Sequence, residues 1–204
     1  MSWTRRGILG LGGLSVVAVA AARWTDPQQI TEAAGAPRPA PDLKLLSSDP
    51  APSLESASGW LNSPPLAPDE LAGKVVLYDF WTFGCINCRR TLPAVKAWHA
   101  RYADDGLVVA SIHTPEFGYE AEVANIEEFV ADEGIEYPIA LDPDKRIWRA
   151  FANHYWPAFF LYDRDDRWRY HHIGEGAYQT TEDAIRQLLG VDPGSPRADH
   201  DLEG

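Results

Sequence analysis

The chain has 204 residues, of which 45% are hydrophobic, so it can bury one core of ordinary domain size. Its 30 acidic residues against 18 Lys and Arg give a formal net charge of -12, which argues against nucleic acid or an anionic membrane surface as a partner. Only two cysteines are present, and both belong to the motif Cys85-Ile86-Asn87-Cys88.

Residues 1–22 have the pattern of a targeting segment. Arg5 and Arg6 precede an apolar stretch that ends near Ala22 and is short for a membrane span. The arginine pair predicts a signal of the twin-arginine type, while an ordinary signal or an uncleaved anchor stays open. In each case the following domain would lie outside the cytoplasm, where disulfides persist. Residues 23–58, rich in Pro, Ala and Ser, predict a disordered linker.

A domain is predicted over residues 59–190, followed by a flexible acidic tail at 191–204. Apolar runs predict strands, and apolar side chains three or four residues apart predict helices. The predicted strands and helices, in chain order, are strand 59–61, strand 75–81, helix 89–102, strand 107–112, helix 121–133, strand 139–141, helix 146–151, strands 158–162 and 168–173 as a hairpin, and helix 180–189. This order predicts a mixed α/β sheet with helices on both faces.

The two cysteines lie where the predicted strand 75–81 gives way to a helix. Cysteines three positions apart in the first turn of a helix can form a disulfide, and the first sulfur lies at the exposed tip. Unpaired backbone N–H groups and the helix dipole favour a thiolate there. Because the thiolate is the nucleophile of disulfide exchange, Cys85 is the candidate attacking cysteine and Cys88 the candidate resolving cysteine.

The same motif has four other interpretations. A structural disulfide across a four-residue loop contributes only about 2 kcal/mol, against about 3 to 4.7 kcal/mol for loops of roughly 15 to 100 residues, so a staple would be poorly placed here. Zinc sites need more ligands, and no second C-x-x-C or H-x3-5-H motif exists. A metallochaperone that binds Cu(I) or Zn(II) through the two thiolates and a histidine stays open. A peroxidase needs a lone peroxidatic cysteine, which the sequence lacks.

Four segments together resemble a known family. They are FWTFGCINCRRTLP at 80–93, HTPEF at 113–117, YWPA at 155–158 and GEGAY at 174–178. These motifs are similar to the thioredoxin-like domain of DipZ-type proteins, within the TlpA-like group, and the likeness covers about residues 60–190. The resemblance implies a thioredoxin fold with a central mixed β-sheet flanked by helices on both faces, an N-terminal extension and a helical insertion.

The resemblance also implies roles for single residues. Cys85 and Cys88 match the family's attacking and resolving cysteines, and Pro157 matches a cis-proline that faces the disulfide and presents its neighbour's backbone to substrate. Asp79 matches a buried acid that helps to move the resolving cysteine's proton. A carboxylate on an apolar strand is costly to bury ionised, so its pKa should rise toward neutrality, although an ordinary polar residue at a strand edge stays open.

Aromatic side chains near the motif complete the candidate site. Trp81, Trp156 and Phe83 are candidate substrate-binding residues, and the two tryptophans could shield the dithiol from water, although tryptophan in a core is the commoner arrangement. His113, at a strand end, could approach the site, but a packed or solvated histidine is the better interpretation.

The resemblance implies a thiol-disulfide oxidoreductase that works outside the cytoplasm without a metal or other cofactor. Its expected partners are disulfide-containing or dithiol client proteins and a membrane electron donor of the CcdA type, and the expected state is a monomer. Disulfide maintenance and cytochrome c maturation are the expected tasks. The dipeptide Ile86-Asn87 differs from the Gly-Pro of ordinary thioredoxin, so the direction of electron flow is left open.

Overall fold

The structure, a computed structural model, describes residues 41–199. Its centre is a six-stranded mixed sheet in the order β1-β4-β3-β2-β5-β6. The central strand β2 runs parallel to β3 and antiparallel to β5, and β3 runs parallel to β4. The strands are β1 Gly59–Leu61, β2 Val75–Trp81, β3 Leu107–His113, β4 Ile139–Leu141, β5 Ala158–Tyr162 and β6 Trp168–Ile173. These bounds confirm the predicted strands.

Helices cover both faces of this sheet, as the predicted thioredoxin fold requires. On one face the core contains side chains from α2, α3 and α5, and on the other it contains side chains from α4 together with Leu54. The helices are α1 Pro68–Leu71, α2 Ile86–Tyr102, α3 Val123–Glu133, α4 Arg146–Ala150 and α5 Tyr178–Leu189. A short 3-10 helix at Gly118–Ala121 precedes α3. No helix within residues 41–199 has the length and apolar character needed to cross a membrane.

Strand β2 is buried along its whole length because the sheet continues on both of its edges and both of its faces are covered. Its alternate side chains enter the two cores: Leu77 and Trp81 face α2, whereas Tyr78 and Phe80 face α4. The chain leaves this strand at Trp81 and enters α2 within five residues, so the dithiol motif is held at the carboxyl end of a strand that is buried at every position.

The predicted linker is wrong at its C-terminal end. Leu43 and Leu54 are buried in the two cores, and the segment forms a β-bridge between Ser47 and Trp168 of β6. The backbone N–H of Leu46 also donates to the carbonyl of Trp168 at 2.8 Å. Residues 41–58 therefore belong to the folded domain, whereas the predicted signal segment 1–22 and the rest of the linker lie outside the described residues.

The predicted flexible tail is likewise ordered as far as the structure describes it. The Arg186 guanidinium of α5 donates to the carbonyls of Asp192 and Ser195 at 2.9 and 3.1 Å. The buried Glu182 carboxylate accepts the backbone N–H of Ala198 at 2.8 Å and the Tyr102 hydroxyl at 2.5 Å. Charged groups thus bind the segment after α5 back onto the domain.

Replacing Leu54 with Ala tests whether the segment before β1 is part of the fold. We expect a loss of about 2–4 kcal/mol in the free energy of unfolding, because the side chain is 5% exposed and its removal leaves a cavity. Leu45→Ala is the matched control, since Leu45 is 53% exposed and should change that energy by less than about 0.5 kcal/mol. Urea unfolding measures both, and equal small effects would show that the segment does not pack.

Candidate active site

Cys85 and Cys88 occupy the first turn of α2 and differ in exposure. Cys85 is the N-cap residue, and its sulfur accepts the backbone N–H of Cys88 at 3.3 Å. Cys85 is partly exposed, whereas Cys88 is completely buried, and both are free thiols in this structure. The arrangement confirms the predicted position of the motif, with one sulfur accessible at the helix tip and the other behind it.

The environment of Cys88 opposes its ionisation. Burial raises the pKa of the Cys88 thiol, and its hydrogen bond with the Cys85 sulfur and the negative charge of Asp79 raise it further. The Thr82 backbone N–H partly opposes this effect. A thiol in these surroundings needs a base before it can act as a nucleophile.

Asp79 lies in the centre of β2, on the face that α2 covers. It is 1% exposed, and its Oδ2 accepts a hydrogen bond from the Ser111 hydroxyl at 3.3 Å. Burial raises the pKa of Asp79 from 3.8 to about 7, while the bond from Ser111 lowers it slightly. The alternative of a polar residue at a strand edge is therefore wrong, and a carboxyl group that titrates near neutrality lies within electrostatic range of Cys88.

Thr82 links the end of β2 to the end of β3. Its hydroxyl lies 3.3 Å from Nε2 of His113, and its carbonyl accepts the backbone N–H of Cys85. His113 is 1% exposed, packs against Trp81 and Phe83, and burial lowers its pKa to about 4. His113 is thus a packed neutral side chain under the dithiol loop. Thr82 had no signal in the sequence beyond its place in the motif.

The Trp156–Pro157 peptide bond is cis, in agreement with the predicted cis-proline. Pro157 immediately precedes β5, and Ala158 pairs with Phe80, so the bond lies level with the carboxyl end of β2. The Trp156 indole N–H donates to the carbonyl of Thr114 at 2.9 Å, which fixes this loop to the loop after β3. Three loops therefore meet at the dithiol end of the sheet.

The three aromatic candidates for substrate binding are not equivalent. Trp81 is 1% exposed, so it lies below the surface and cannot contact a client chain directly, which corrects that prediction. Phe83 and Trp156 are half-buried, and Lys145 lies 4.7 Å above the Trp156 ring. The large exposed apolar side chains in the loops of this end were missed by the sequence reasoning, and they are Ile86, Phe117, Tyr119 and Tyr155.

Glu120 is a further residue of the site that the sequence did not single out. Its carboxylate is fully buried, and Oε2 accepts the backbone N–H groups of Glu116 and Phe117 at 2.6 and 2.9 Å. A Cβ atom on Gly84 would lie 2.0 Å from its Oε1, which explains why glycine precedes Cys85. The carboxylate thus holds the loop after β3 against the dithiol loop. Glu120 lies three residues beyond the HTPEF segment, and nothing in the sequence singled it out.

The described residues bear on the metal alternative as well. Within residues 41–199, no three His, Cys, Asp or Glu side chains converge so as to hold a metal ion. A metallochaperone with a histidine beside the two thiolates therefore has no support in this geometry.

A family model for AhpC/TSA proteins matches residues 39–171. The chain belongs to the AhpC/TSA family. Protein DipZ of Mycobacterium tuberculosis is 45% identical over 149 residues, which are 72% of this chain and 21% of DipZ. The thiol-disulfide oxidoreductase YkuV of Bacillus subtilis is 28% identical over 140 residues, which are 69% of this chain and 94% of YkuV.

A solved structure supports the same family. The solution structure of a thioredoxin-like protein in the oxidised form superimposes with a TM-score of 0.62 at 30% sequence identity, over 69% of this chain and 95% of that one. This member of the AhpC/TSA family therefore has a thioredoxin-like fold, and the predicted family of thioredoxin-like thiol-disulfide oxidoreductases is confirmed. The chain spans about a fifth of the length of the DipZ proteins that it matches.

The pKa of Asp79 has a consequence for stability. A carboxyl group whose pKa is about 7 when folded and 3.8 when unfolded stabilises the fold fully below pH 3.8, and this contribution is lost as the pH rises to 7. The difference corresponds to roughly 4 kcal/mol. Asp79→Asn should therefore raise the free energy of unfolding by up to about that amount at pH 8, and by progressively less as the pH falls toward 4.

Urea unfolding at pH 4 and pH 8 measures this effect. Asp132→Asn, at an exposed position of α3, is the matched control and should leave the free energy of unfolding unchanged at both pH values. A variant Asp79→Asn that is less stable than the wild type at pH 8 would contradict the ionisation assigned to this carboxyl group.

Proposed function

We propose that this protein exchanges the Cys85–Cys88 dithiol and disulfide with disulfide bonds of client proteins outside the cytoplasm. The observation that carries the proposal is the unequal exposure of the two sulfurs in one helical turn, with a carboxyl group that titrates near neutrality behind the buried one. Family membership supports the reaction class, because named relatives are thiol-disulfide oxidoreductases.

In the reducing direction, the Cys85 thiolate attacks one sulfur of a client disulfide. A mixed disulfide forms, and the other client sulfur leaves as a thiolate that takes up a proton. Cys88 then gives its proton to Asp79 and attacks the Cys85 sulfur, which releases the second client thiolate. Two electrons pass to the client, and the protein is left with the Cys85–Cys88 disulfide. The oxidising direction reverses each step.

Client proteins would dock on the apolar loops that surround Cys85. Ile86, between the two cysteines, is 60% exposed, and Tyr155, beside the cis bond, is 56% exposed. Phe117 and Tyr119 stack on each other in the loop after β3, and Tyr119 also contacts Phe83. Contiguous exposed apolar side chains mark interaction sites, whereas scattered ones are common, so the connected rings of Phe83, Tyr119 and Phe117 favour a client with apolar residues near its disulfide.

The location and the electron donor rest on the sequence. The arginine pair and apolar stretch of residues 1–22 support export by the twin-arginine route or anchoring in the membrane. We propose a membrane donor of the CcdA type for the reducing direction, and disulfide maintenance or cytochrome c maturation as the task. DipZ of Mycobacterium tuberculosis is several times longer than the segment that it shares with this chain.

Exchange with a disulfide is the direct test of this function. The reduced protein should reduce insulin, Cys85→Ser should abolish that activity, and Cys88→Ser should accumulate a mixed disulfide at Cys85 that mass spectrometry detects. Equilibration of the wild type with a glutathione series then gives the direction of electron flow. A stoichiometric copper or zinc complex without any exchange would contradict the proposal and favour the metallochaperone.

The export route is tested in the full chain. Replacing Arg5 and Arg6 with Lys should leave the protein in the cytoplasm, because the arginine pair is the recognised feature of the proposed signal. Single replacement of Arg38, outside that segment, is the control and should not change the location measured by cell fractionation. Export of the double variant at the wild-type level would exclude the twin-arginine route.

A further inference from the structure

Several buried polar atoms of the described residues, one of them on Asp79, have no hydrogen-bond partner. Oδ1 of Asp79, the hydroxyl of Tyr137 and Nδ1 of His99 are buried, and none has a hydrogen-bond partner within residues 41–199. Buried polar atoms without a partner are rare in folded proteins and are found where bound water or chemistry uses them. The indole nitrogen of Trp81 in the same core also lacks a partner among the described residues, so these three groups stand out through the interactions that connect them: the Asp79 charge acts on Tyr137, and the Tyr137 ring contacts His99.

The sheet places Tyr137 on the same face as Asp79. Asp79 pairs with Ser111, and Ser111 pairs with Ile139 in the next parallel strand. Tyr137 precedes Ile139 by two residues, and the Ser111 N–H donates to the carbonyl of the intervening Pro138 at 3.0 Å. Since side chains two apart share a face, the phenol enters the core that contains Asp79. The Asp79 charge in turn raises the pKa of Tyr137, although burial is the larger cause.

His99 lies next to Tyr137 and is closer to the surface. The imidazole ring of His99, on α2, contacts the Tyr137 ring edge-on at a centroid distance of 5.8 Å. His99 is only half-buried, whereas Tyr137 is fully buried. Burial lowers the pKa of His99, and the charge of Glu136 partly opposes this effect. A neutral imidazole can accept a proton on one nitrogen while it releases one from the other.

The polar and charged groups that face Asp79 limit where its proton can go. From β3 it faces Ser111, which has a hydroxyl but no charge, and from α2 it faces Cys88. Its neighbour on β5 is the apolar Phe159. Tyr137 is a further polar group of the same core, and the Asp79 charge acts on it. A proton that Asp79 takes from Cys88 thus has the polar side chain of Tyr137 within electrostatic range.

We propose that Tyr137 and His99 form the route by which a proton passes between Asp79 and solvent. The inference rests on the exchange reaction proposed above and adds two positioning residues to it. We expect bound water or a side-chain rotation to connect the unpartnered atoms. After Cys88 has given its proton to Asp79, Tyr137 takes that proton as it passes its own to His99, and His99 releases one to solvent. No electrons move in this relay. The same transfers in reverse carry a proton from solvent back to Asp79.

Tyr137→Phe and His99→Gln test the route with glutathione disulfide as the probe. Stopped-flow tryptophan fluorescence follows the reaction of the reduced protein, and the Cys88→Ser background isolates the attack by Cys85. Each variant should slow the Cys88-dependent step by about tenfold and leave the Cys85 attack unchanged. The double variant should be no slower than either single variant, because both belong to one route. The pH at which the second step reaches half its maximal rate should also shift.

Tyr78→Phe is the matched control, because it removes a buried phenol hydroxyl next to Asp79 in sequence but on the opposite face of β2. It should leave both steps and the pH profile unchanged. If Tyr137→Phe does not fold, His99→Gln alone decides, since its side chain is half-exposed. Wild-type resolution rates in both variants would overturn the relay, whereas a wild type that does not react with glutathione disulfide would overturn the proposed function.

Discussion

Burial of β2 on both faces and along both edges is the constraint on which the rest of this site depends. The strand fixes where the chain emerges, so Thr82 and Cys85 begin the dithiol loop at a defined place over the end of the sheet. It also holds Asp79 in the apolar core, where the cost of ionisation moves its titration to neutral pH. If this strand were exposed to solvent, the Asp79 carboxyl group would have the ordinary pKa of an aspartate. Cys88 would then not be buried behind Cys85.

At the dithiol end of the sheet, the accessible Cys85 sulfur is held in place by buried residues. Cys85 caps α2, Glu120 holds the neighbouring loop, and Thr82 joins the loop to His113. The unpartnered atoms of Asp79 and Tyr137 lie in the core under α2. Two tasks are thus separated in space: residues at the surface contact the client, and buried residues accept and release the proton.

Much of this fold follows from local pattern. The apolar run of β2, the hairpin β5–β6 and the cysteine motif were predictable because burial and spacing leave direct marks on the sequence. Residues 41–58 and 191–199 were not, since a few apolar side chains such as Leu54 are diluted among Pro, Ser and Asp, and their attachment comes from backbone and guanidinium hydrogen bonds with distant partners. Glu120 and Tyr137 were missed for a related reason, because a buried polar residue has no periodic signature and gains its role only from residues that the fold brings near.

The central claim is that the fold exposes Cys85 and buries Cys88, and alkylation of the native dithiol tests it most directly. The reduced protein is treated briefly with iodoacetamide, quenched and mapped by mass spectrometry, with the urea-unfolded protein as reference. The account predicts rapid modification of Cys85 and protection of Cys88 until the protein unfolds. Equal modification of the two cysteines in the native state, or faster modification of Cys88, would contradict it.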